Sequence, residues 1–305
     1  MILQIKGPGW PSGAAHALLN IAVMNKLLPL ALSLPLVACV VGSGTDPADD
    51  TPGSGSQGSG SNGSGTTAGN HITTNTTWST AKDVTAELTV DPGVTLTIAA
   101  GTTVKFGPTG SITIQGTVNV QGTKTQPVNL VPSTTAGHHG GFSVPMGGQL
   151  TMAYGIQVGG GISVNGGKIT VTDTRMSQAE GDFLVVGAGT VDVSYSAIGL
   201  EPGAGTDSTH CDMHFGGSGV TIKVTHSNIS TSSYGLMLYG GNAVDLTYNN
   251  WFKNTPYQIE TQPGVSADIS YGWFDTPLPT AVGGSTLTAT NISMNRLPAT
   301  VAGPR

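Results

Sequence analysis

The sequence predicts an all-β protein whose main domain is a right-handed parallel β-helix, a solenoid of roughly nine coils with about 22 residues in each. Three observations predict this fold. A short alternating motif recurs at a nearly constant interval, and turn-forming residues separate runs of β-branched residues. Charged residues make up only 9% of the 305-residue chain, against about 25% in an ordinary globular domain.

The repeated motif determines the length of a coil. The offsets between the first residues of successive motifs are 19, 22, 31, 22 and 23 residues, and a period of roughly 20–50 residues is typical of stacked repeats. Side chains alternate along a strand, so the first and third residues of each motif should point into the core. The motifs are LTMAY from Leu150, ITVTD from Ile169, VDVSY from Val191, IKVTH from Ile222, VDLTY from Val244 and ADISY from Ala267.

The segments before the solenoid predict export. Residues 1–23 are interpreted as an extension upstream of the true start codon, with translation beginning at Met24. Residues 24–38 combine the basic Lys26 with an apolar run that has the length of a signal peptide and is too short to span a bilayer.

The end of that run, Leu36-Val37-Ala38-Cys39, resembles a bacterial lipobox. The resemblance implies that Cys39 carries lipid, and hence a membrane partner and a place in the cell envelope, at the outer membrane or cell surface. Residues 39–70 continue as a Gly/Ser-rich chain, which should form a disordered linker because it has little apolar surface to bury. The β-helix domain is predicted to extend from residue 71 to residue 305.

Composition excludes several classes of protein. Eleven Lys and Arg against 17 Asp and Glu give a net charge of −6, so there is no basic surface for nucleic acid. Two cysteines cannot form a disulfide scaffold. No cofactor is predicted, apart from a divalent metal ion at one candidate site.

The first coils resemble a known family. DPGVTLTIAAGTTVKF, residues 91–106, and the following SITIQGTVNVQG are similar to the opening coils of secreted right-handed β-helix proteins, whose fold is shared with pectate lyases. The resemblance implies stacked outer faces of the kind that often hold polysaccharide. It carries over no catalytic residue, because no catalytic motif is matched and a fold does not determine a function.

The fifth residues of the six motifs should stack in one column along an edge of the solenoid. They form either a ladder that stabilises neighbouring coils or a platform for sugar rings. The candidate ligand-binding residues are therefore Tyr154, Tyr195, Tyr248 and Tyr271, with Asp173 and His226 in the same column. The second residues form an outward column in which a lysine relieves repulsion between aspartates: Asp192, Lys223, Asp245 and Asp268.

The 31-residue offset marks an insertion between Leu200 and Thr221, which contains the sequence HCDMH. In an extended strand, alternate residues of this sequence lie on one side. Imidazole and carboxylate groups bind zinc, so the candidate metal ligands are His210, Asp212, His214 and, from the adjacent coil, His226. An alignment of CDMHFGGS with GLMLYGGN pairs Asp212 with Leu236 and His214 with Leu238. An ordinary polar loop and acid–base catalysis are the alternatives.

Two sets of residues are candidate catalytic groups, Asp173 with Arg175 and Asp212 with His214. A lyase of this fold would need a basic residue beside an acidic cluster, and neither set provides one at a repeated spacing. The sequence therefore favours a non-enzymatic surface module that binds glycan or another surface component. A polysaccharide lyase or glycoside hydrolase and a purely structural spacer are the alternative functions.

Overall fold

A computed structural model of the protein describes residues 70–135, 137–200, 210–217 and 219–305. The regular structure in this part of the chain is all β-strand, and none of it is a helix long and apolar enough to cross a membrane. Residues 1–23, the signal peptide, Cys39 and residues 201–209 of the insertion lie outside the described residues.

The strands follow one another in short segments, three to a coil. The first half of the domain contains β1 (His71–Ile72), β2 (Thr76–Trp78), β3 (Lys82–Val84), β4 (Glu87–Val90), β5 (Thr95–Ala99), β6 (Thr103–Phe106), β7 (Ser111–Ile114), β8 (Thr117–Gln121), β9 (Val128–Pro132), β10 (Gly141–Pro145), β11 (Gln149–Ala153), β12 (Gly155–Val158) and β13 (Ile162–Thr172). The second half contains β14 (Arg175–Ser177), β15 (Leu184–Ser194), β16 (Ala197–Ile198), β17 (Cys211–Phe215), β18 (Thr221–Thr225), β19 (Asn228–Ser230), β20 (Tyr234–Leu238), β21 (Asn242–Asp245), β22 (Asn250–Phe252), β23 (Tyr257–Thr261), β24 (Ser266–Asp268), β25 (Trp273–Phe274) and β26 (Thr286–Thr288).

These strands stack in parallel into three columns, which confirms the predicted parallel β-solenoid of about nine coils. The long strands β13 and β15 each belong to the first two columns, because one continuous strand there replaces two shorter ones. The third column is a separate nine-stranded sheet that extends from β3 to β25. Each coil thus pairs only with the coils before and after it.

The register confirms the repeat that the sequence predicts. The first residues of the six motifs pair in order, from Leu150 with Ile169 to Val244 with Ala267. Their alternate side chains fill a continuous apolar core. Each fully buried Val, Leu or Ile contributes about 1.5–3 kcal/mol by leaving water, so the core stabilises every coil along its length.

The corner between the second and third columns has a left-handed backbone in successive coils. φ is between 48° and 60° at seven non-glycine residues of this corner. This conformation costs roughly 1–2 kcal/mol for an L-residue, so the corner needs compensating contacts. The seventh is Asn291, which follows Tyr271 in the next coil. The other six are the fifth residues of the repeated motifs: Tyr154, Asp173, Tyr195, His226, Tyr248 and Tyr271.

A buried polar ladder follows directly after this corner and provides such contacts. The Ser196 N–H donates to Ser227 Oγ over 3.1 Å, and the Ser227 N–H donates to Asn249 Oδ1 over 2.8 Å. The hydroxyls of Ser196 and Ser227 donate in turn to carbonyls two residues earlier in their own coils. Each coil is thereby joined to the next by side chains that accept a buried backbone N–H.

Residues 293–305, here called the C-terminal strap, cross back over the coils beside the corner. The Leu297 N–H donates to Asn250 Oδ1 over 2.8 Å, and the Gly303 N–H donates to the carbonyl of His226 over 2.8 Å. Further along, Arg305 reaches Asp173. The strap therefore binds coils that are far apart in sequence, and the repeat pattern contains no sign of it.

His139 is a buried histidine in the loop between β9 and β10. Its ring stacks on Phe106 with centroids 4.2 Å apart. Nδ1 accepts the Gly141 N–H, and Nε2 lies 3.0 Å from the Val158 carbonyl, so the neutral ring satisfies both nitrogens. Burial lowers the pKa of His139 below its ordinary value.

The stability of the domain is therefore expected to fall as the pH drops below about 6.5, the ordinary pKa of histidine. The unfolded chain binds a proton at His139 more readily than the folded chain does, so acid favours unfolding. Between pH 7 and pH 5 we expect the unfolding midpoint to fall by about 2–4 °C from this residue, measured by circular dichroism. His139→Gln should flatten this profile. The same substitution at its exposed neighbour, His138→Gln, should not. An identical flattening in both variants would contradict the assignment.

Candidate functional site

Four ligand-type side chains come together at the irregular coil and form what we call the His–Cys–Asp cluster. One ligand atom from each of its members lies within 4.8 Å of all the others. Asp182 is central: its Oδ1 accepts from His210 Nδ1 over 2.6 Å and from Cys211 Sγ over 2.9 Å. Its Oδ2 lies 3.3 Å from His214 Nδ1. The four members are Asp182, His210, Cys211 and His214.

Strand register explains why residues so distant in sequence meet. β15 and β17 are parallel neighbours in which Leu184 pairs with Met213. Asp182, two residues before Leu184, therefore lies beside Cys211, two residues before Met213. His214 follows on the same strand, and His210 directly precedes it.

The environment of the cluster sets the charge of its members. Burial alone would raise the pKa of Asp182, but hydrogen bonds from Cys211 and His210 bring it below its ordinary value. Burial, followed by the nearby Asp182 carboxylate, raises the pKa of the Cys211 thiol well above its usual range. The side chains of His210 and His214 are 48% and 31% exposed, so the cluster is accessible from solvent.

The structure therefore brings together only two of the four predicted metal ligands, His210 and His214. Asp212 is fully buried and is not a member of the cluster, and His226 lies in the corner column. The predicted alignment is wrong by one residue, because His214 pairs with Met237 rather than Leu238. His210 lies before the first residue of β17, so strand alternation does not apply to it and it can approach Cys211.

The corner column contains a stack of rings. The ring of His226 lies between those of Tyr195 and Tyr248, with centroids 4.8 and 4.7 Å apart, and Tyr248 stacks on Tyr271 at 4.8 Å. Such contacts contribute about 0.5–1.5 kcal/mol each. The faces of these rings contact one another, and Tyr271 at the end of the stack is 40% exposed.

Tyr154 and Asp173 continue the column without a ring stack. The guanidinium of Arg305 takes the place of a ring: it lies 3.8 Å from the centroid of Tyr195. It also binds the buried carboxylate of Asp173 through Nε and Nη2, over 3.0 and 2.9 Å. Asp173 is thus paired with Arg305 and not with Arg175, the partner that the sequence favours.

Arg175 and Tyr154 line a crevice of about 290 Å³, here called the arginine crevice. Lys124, Asp173 and Arg305 complete its charged lining. A second crevice of about 410 Å³ shares Arg175 with it and adds Arg296, which lies over the ring of Phe252 at 4.2 Å. The three arginines of the chain therefore all line these two adjoining crevices, although they are widely separated in sequence.

The predicted outward column of charges is present. Asp192 pairs with Lys223, and Lys223 with Asp245, in adjacent strands. Asp245 accepts hydrogen bonds from the backbone and hydroxyl of Thr247, and Asp268 accepts the Ser270 N–H. Both carboxylates thus stabilise the turns that follow their own strands.

A third concave surface lies beside β23. It is a groove of about 630 Å³ between that strand and residues 276–282. Tyr257, which is 52% exposed, stacks on Tyr234 at one side, and Glu260 accepts a hydrogen bond from the Tyr239 hydroxyl. Its lining contains no lysine or arginine.

Comparison with protein-family models, with curated proteins and with solved structures finds no match for this chain.

Proposed function

We propose that the protein is a non-enzymatic surface module that binds an acidic glycan in the arginine crevice. The observation that carries this proposal is the convergence of cations in an acidic chain. Lys124, Arg175 and Arg305 line one crevice, and only one acidic residue, Asp173, lines it with them. The net charge of the chain is −6, so this crevice is a local exception to the charge of the whole protein.

The chemistry of the lining suits a carboxylate-bearing sugar. Guanidinium groups bind carboxylates through two parallel hydrogen bonds, and Arg175 is exposed and makes no ion pair within the described residues. Tyr154 lies at the end of the corner column, where no other ring of the described residues stacks on it, and its partly buried ring can contact the apolar face of a sugar. Pro127 and Ile156 add apolar surface beside it.

Attachment to the cell envelope through Cys39 is the second part of the proposal, and it rests on the lipobox-like sequence. Several acyl chains on one cysteine would hold the protein firmly, since one chain alone binds a membrane only marginally. A long Gly/Ser-rich linker would then present the solenoid away from the membrane.

The test compares two forms of one polymer, polygalacturonate and its fully methyl-esterified form, which differ in charge. The full chain should bind the acid form and not the ester, with an affinity that falls as salt rises. Arg175→Ala should weaken binding about tenfold, the effect of one charge-assisted contact. Lys105→Ala is the matched control, because Lys105 is an exposed lysine of the nine-stranded sheet that also contains Arg175. This variant should bind the polymer as the parent does.

Three outcomes would contradict the proposal. Equal binding of both polymers would remove the role of charge, and loss of binding in Tyr257→Ala but not in Arg175→Ala would place the site in the groove beside β23. Release of unsaturated or reducing ends would show an enzyme. On whole cells, Cys39→Ala should release the chain from the surface and leave its glycan affinity unchanged, so anchoring and binding are tested separately.

A further inference from the structure

The His–Cys–Asp cluster has the composition of a metal site and lies apart from the residues that line the arginine crevice. It offers one cysteine sulfur, two imidazoles and one carboxylate. Zinc is bound by these groups, with four ligands in a tetrahedron at its structural sites. We propose that the His–Cys–Asp cluster is a four-coordinate Zn²⁺ site, which is independent of glycan binding.

The distances fit this assignment. A zinc ion with bonds of about 2.0–2.3 Å places its ligand atoms roughly 3.3–3.8 Å apart. In the structure the separations are 2.6 Å for His210 to Asp182, 2.9 Å for Cys211 to Asp182, 3.3 Å for His214 to Asp182, and 3.5 Å for Cys211 to His210. Side-chain movements of about 1 Å would therefore open the hydrogen-bonded cluster into a tetrahedron.

The charges balance as well. Binding releases the thiol proton of Cys211 to solvent, and both histidines bind as neutral imidazoles. One thiolate and one carboxylate then neutralise the two positive charges of the ion. The mixture of sulfur and nitrogen ligands favours zinc over magnesium or calcium, which prefer oxygen alone.

The surroundings orient the ligands. The ring of His214 meets that of Tyr239 edge-on with centroids 5.0 Å apart, and His210 lies 6.2 Å from the ring of Tyr234. The Cys211 N–H also approaches Asp182 Oδ1 at 3.3 Å. Such outer contacts fix the geometry of metal ligands. The ion would join segments that lie 28 or more residues apart, at the coil that carries the insertion.

The experiment uses the full chain with Cys39→Ser throughout, so that Cys211 is the sole thiol. Competition with a chromophoric chelator should show one Zn²⁺ per chain, and zinc should raise the unfolding temperature. His210→Ala and His214→Ala should each weaken zinc binding by about 100-fold or more, beyond the 10–100-fold effect of losing an outer contact. Co²⁺ in place of zinc should give a thiolate-to-metal absorption band that Cys211→Ser removes.

A matched control is available in the first coil. His71 and Asp91 also form a pair at 2.6 Å, but no third ligand joins them within the described residues. His71→Gln should leave zinc stoichiometry and affinity unchanged. His210 is half exposed, so its alanine variant should fold even if Cys211→Ser does not. Parent-like affinity in His210→Ala, or a cobalt spectrum without the thiolate band in the parent, would overturn the proposal.

Discussion

Replacing Asn249 with alanine is expected to lower the free energy of unfolding by about 3–5 kcal/mol. The side chain of Asn249 is fully buried. Its Nδ2 donates to the carbonyls of Val224 and Leu246 over 2.6 and 2.9 Å, and its Oδ1 accepts the Ser227 N–H. Alanine would leave three buried backbone groups without these partners, and each such group costs about 1–3 kcal/mol. Urea unfolding followed by circular dichroism measures the change.

Two further variants test the cause. Asn249→Ser should recover part of the loss. At the equivalent position of an earlier coil, Ser227 accepts the corresponding N–H of the coil before it and donates to a carbonyl of its own coil. Asn119→Ala removes a half-exposed asparagine of β8 and should change stability by about 0.5 kcal/mol or less. If Asn249→Ala is as mild as Asn119→Ala, the ladder does not stabilise the coils.

Replacing Asp173 with asparagine is expected to release the end of the C-terminal strap and to destabilise the domain by about 1.5–3 kcal/mol, the range for hydrogen bonds to a charged group. Asp173 is 3% exposed and accepts from the backbone N–H, Nε and Nη2 of Arg305. The side chain of Arg305 is 51% exposed, so solvent weakens the attraction and the lower half of the range is the better estimate.

Hydrogen exchange distinguishes this local release from general unfolding. The amide of Gly303, which donates to His226, should exchange faster in Asp173→Asn, whereas the amides of the buried strands should not. Asp192→Asn is the control, because Asp192 faces outward beside Lys223 and an exposed pair contributes about 0–1 kcal/mol. Equal acceleration at Gly303 in both variants would show that Arg305 does not hold the strap.

Both crevices depend on the contact between Asp173 and Arg305. Arg305 lines the arginine crevice, and the strap residues Arg296 and Gly303 line its neighbour. Asp173 therefore acts through Arg305 and contributes to the crevice as a positioning residue. The sequence pairs Asp173 with Arg175 because they are two residues apart, but the pairing in the fold joins residues 132 apart.

The sequence by itself determined the fold of the solenoid. Side chains alternate in every strand and each coil repeats the last, so the spacing of the six motifs was enough to predict which residues stack, from Leu150 to Ala267. The column of Tyr195, His226 and Tyr248 followed from the same spacing. Interactions between equivalent positions of neighbouring coils are periodic, and a periodic interaction leaves a periodic pattern in the sequence.

Only the tertiary structure decided the sites, because they form where the period is broken. Asp182 and His210 lie just outside β15 and β17, where alternation no longer indicates the direction of a side chain, so the sequence placed Asp212 in the cluster and missed Asp182. The strap has no repeat and crosses the coils, so its pairing with Asp173 leaves no pattern at all. Local periodicity specified the core, and the contacts between irregular segments determined where charge and ligand groups converge.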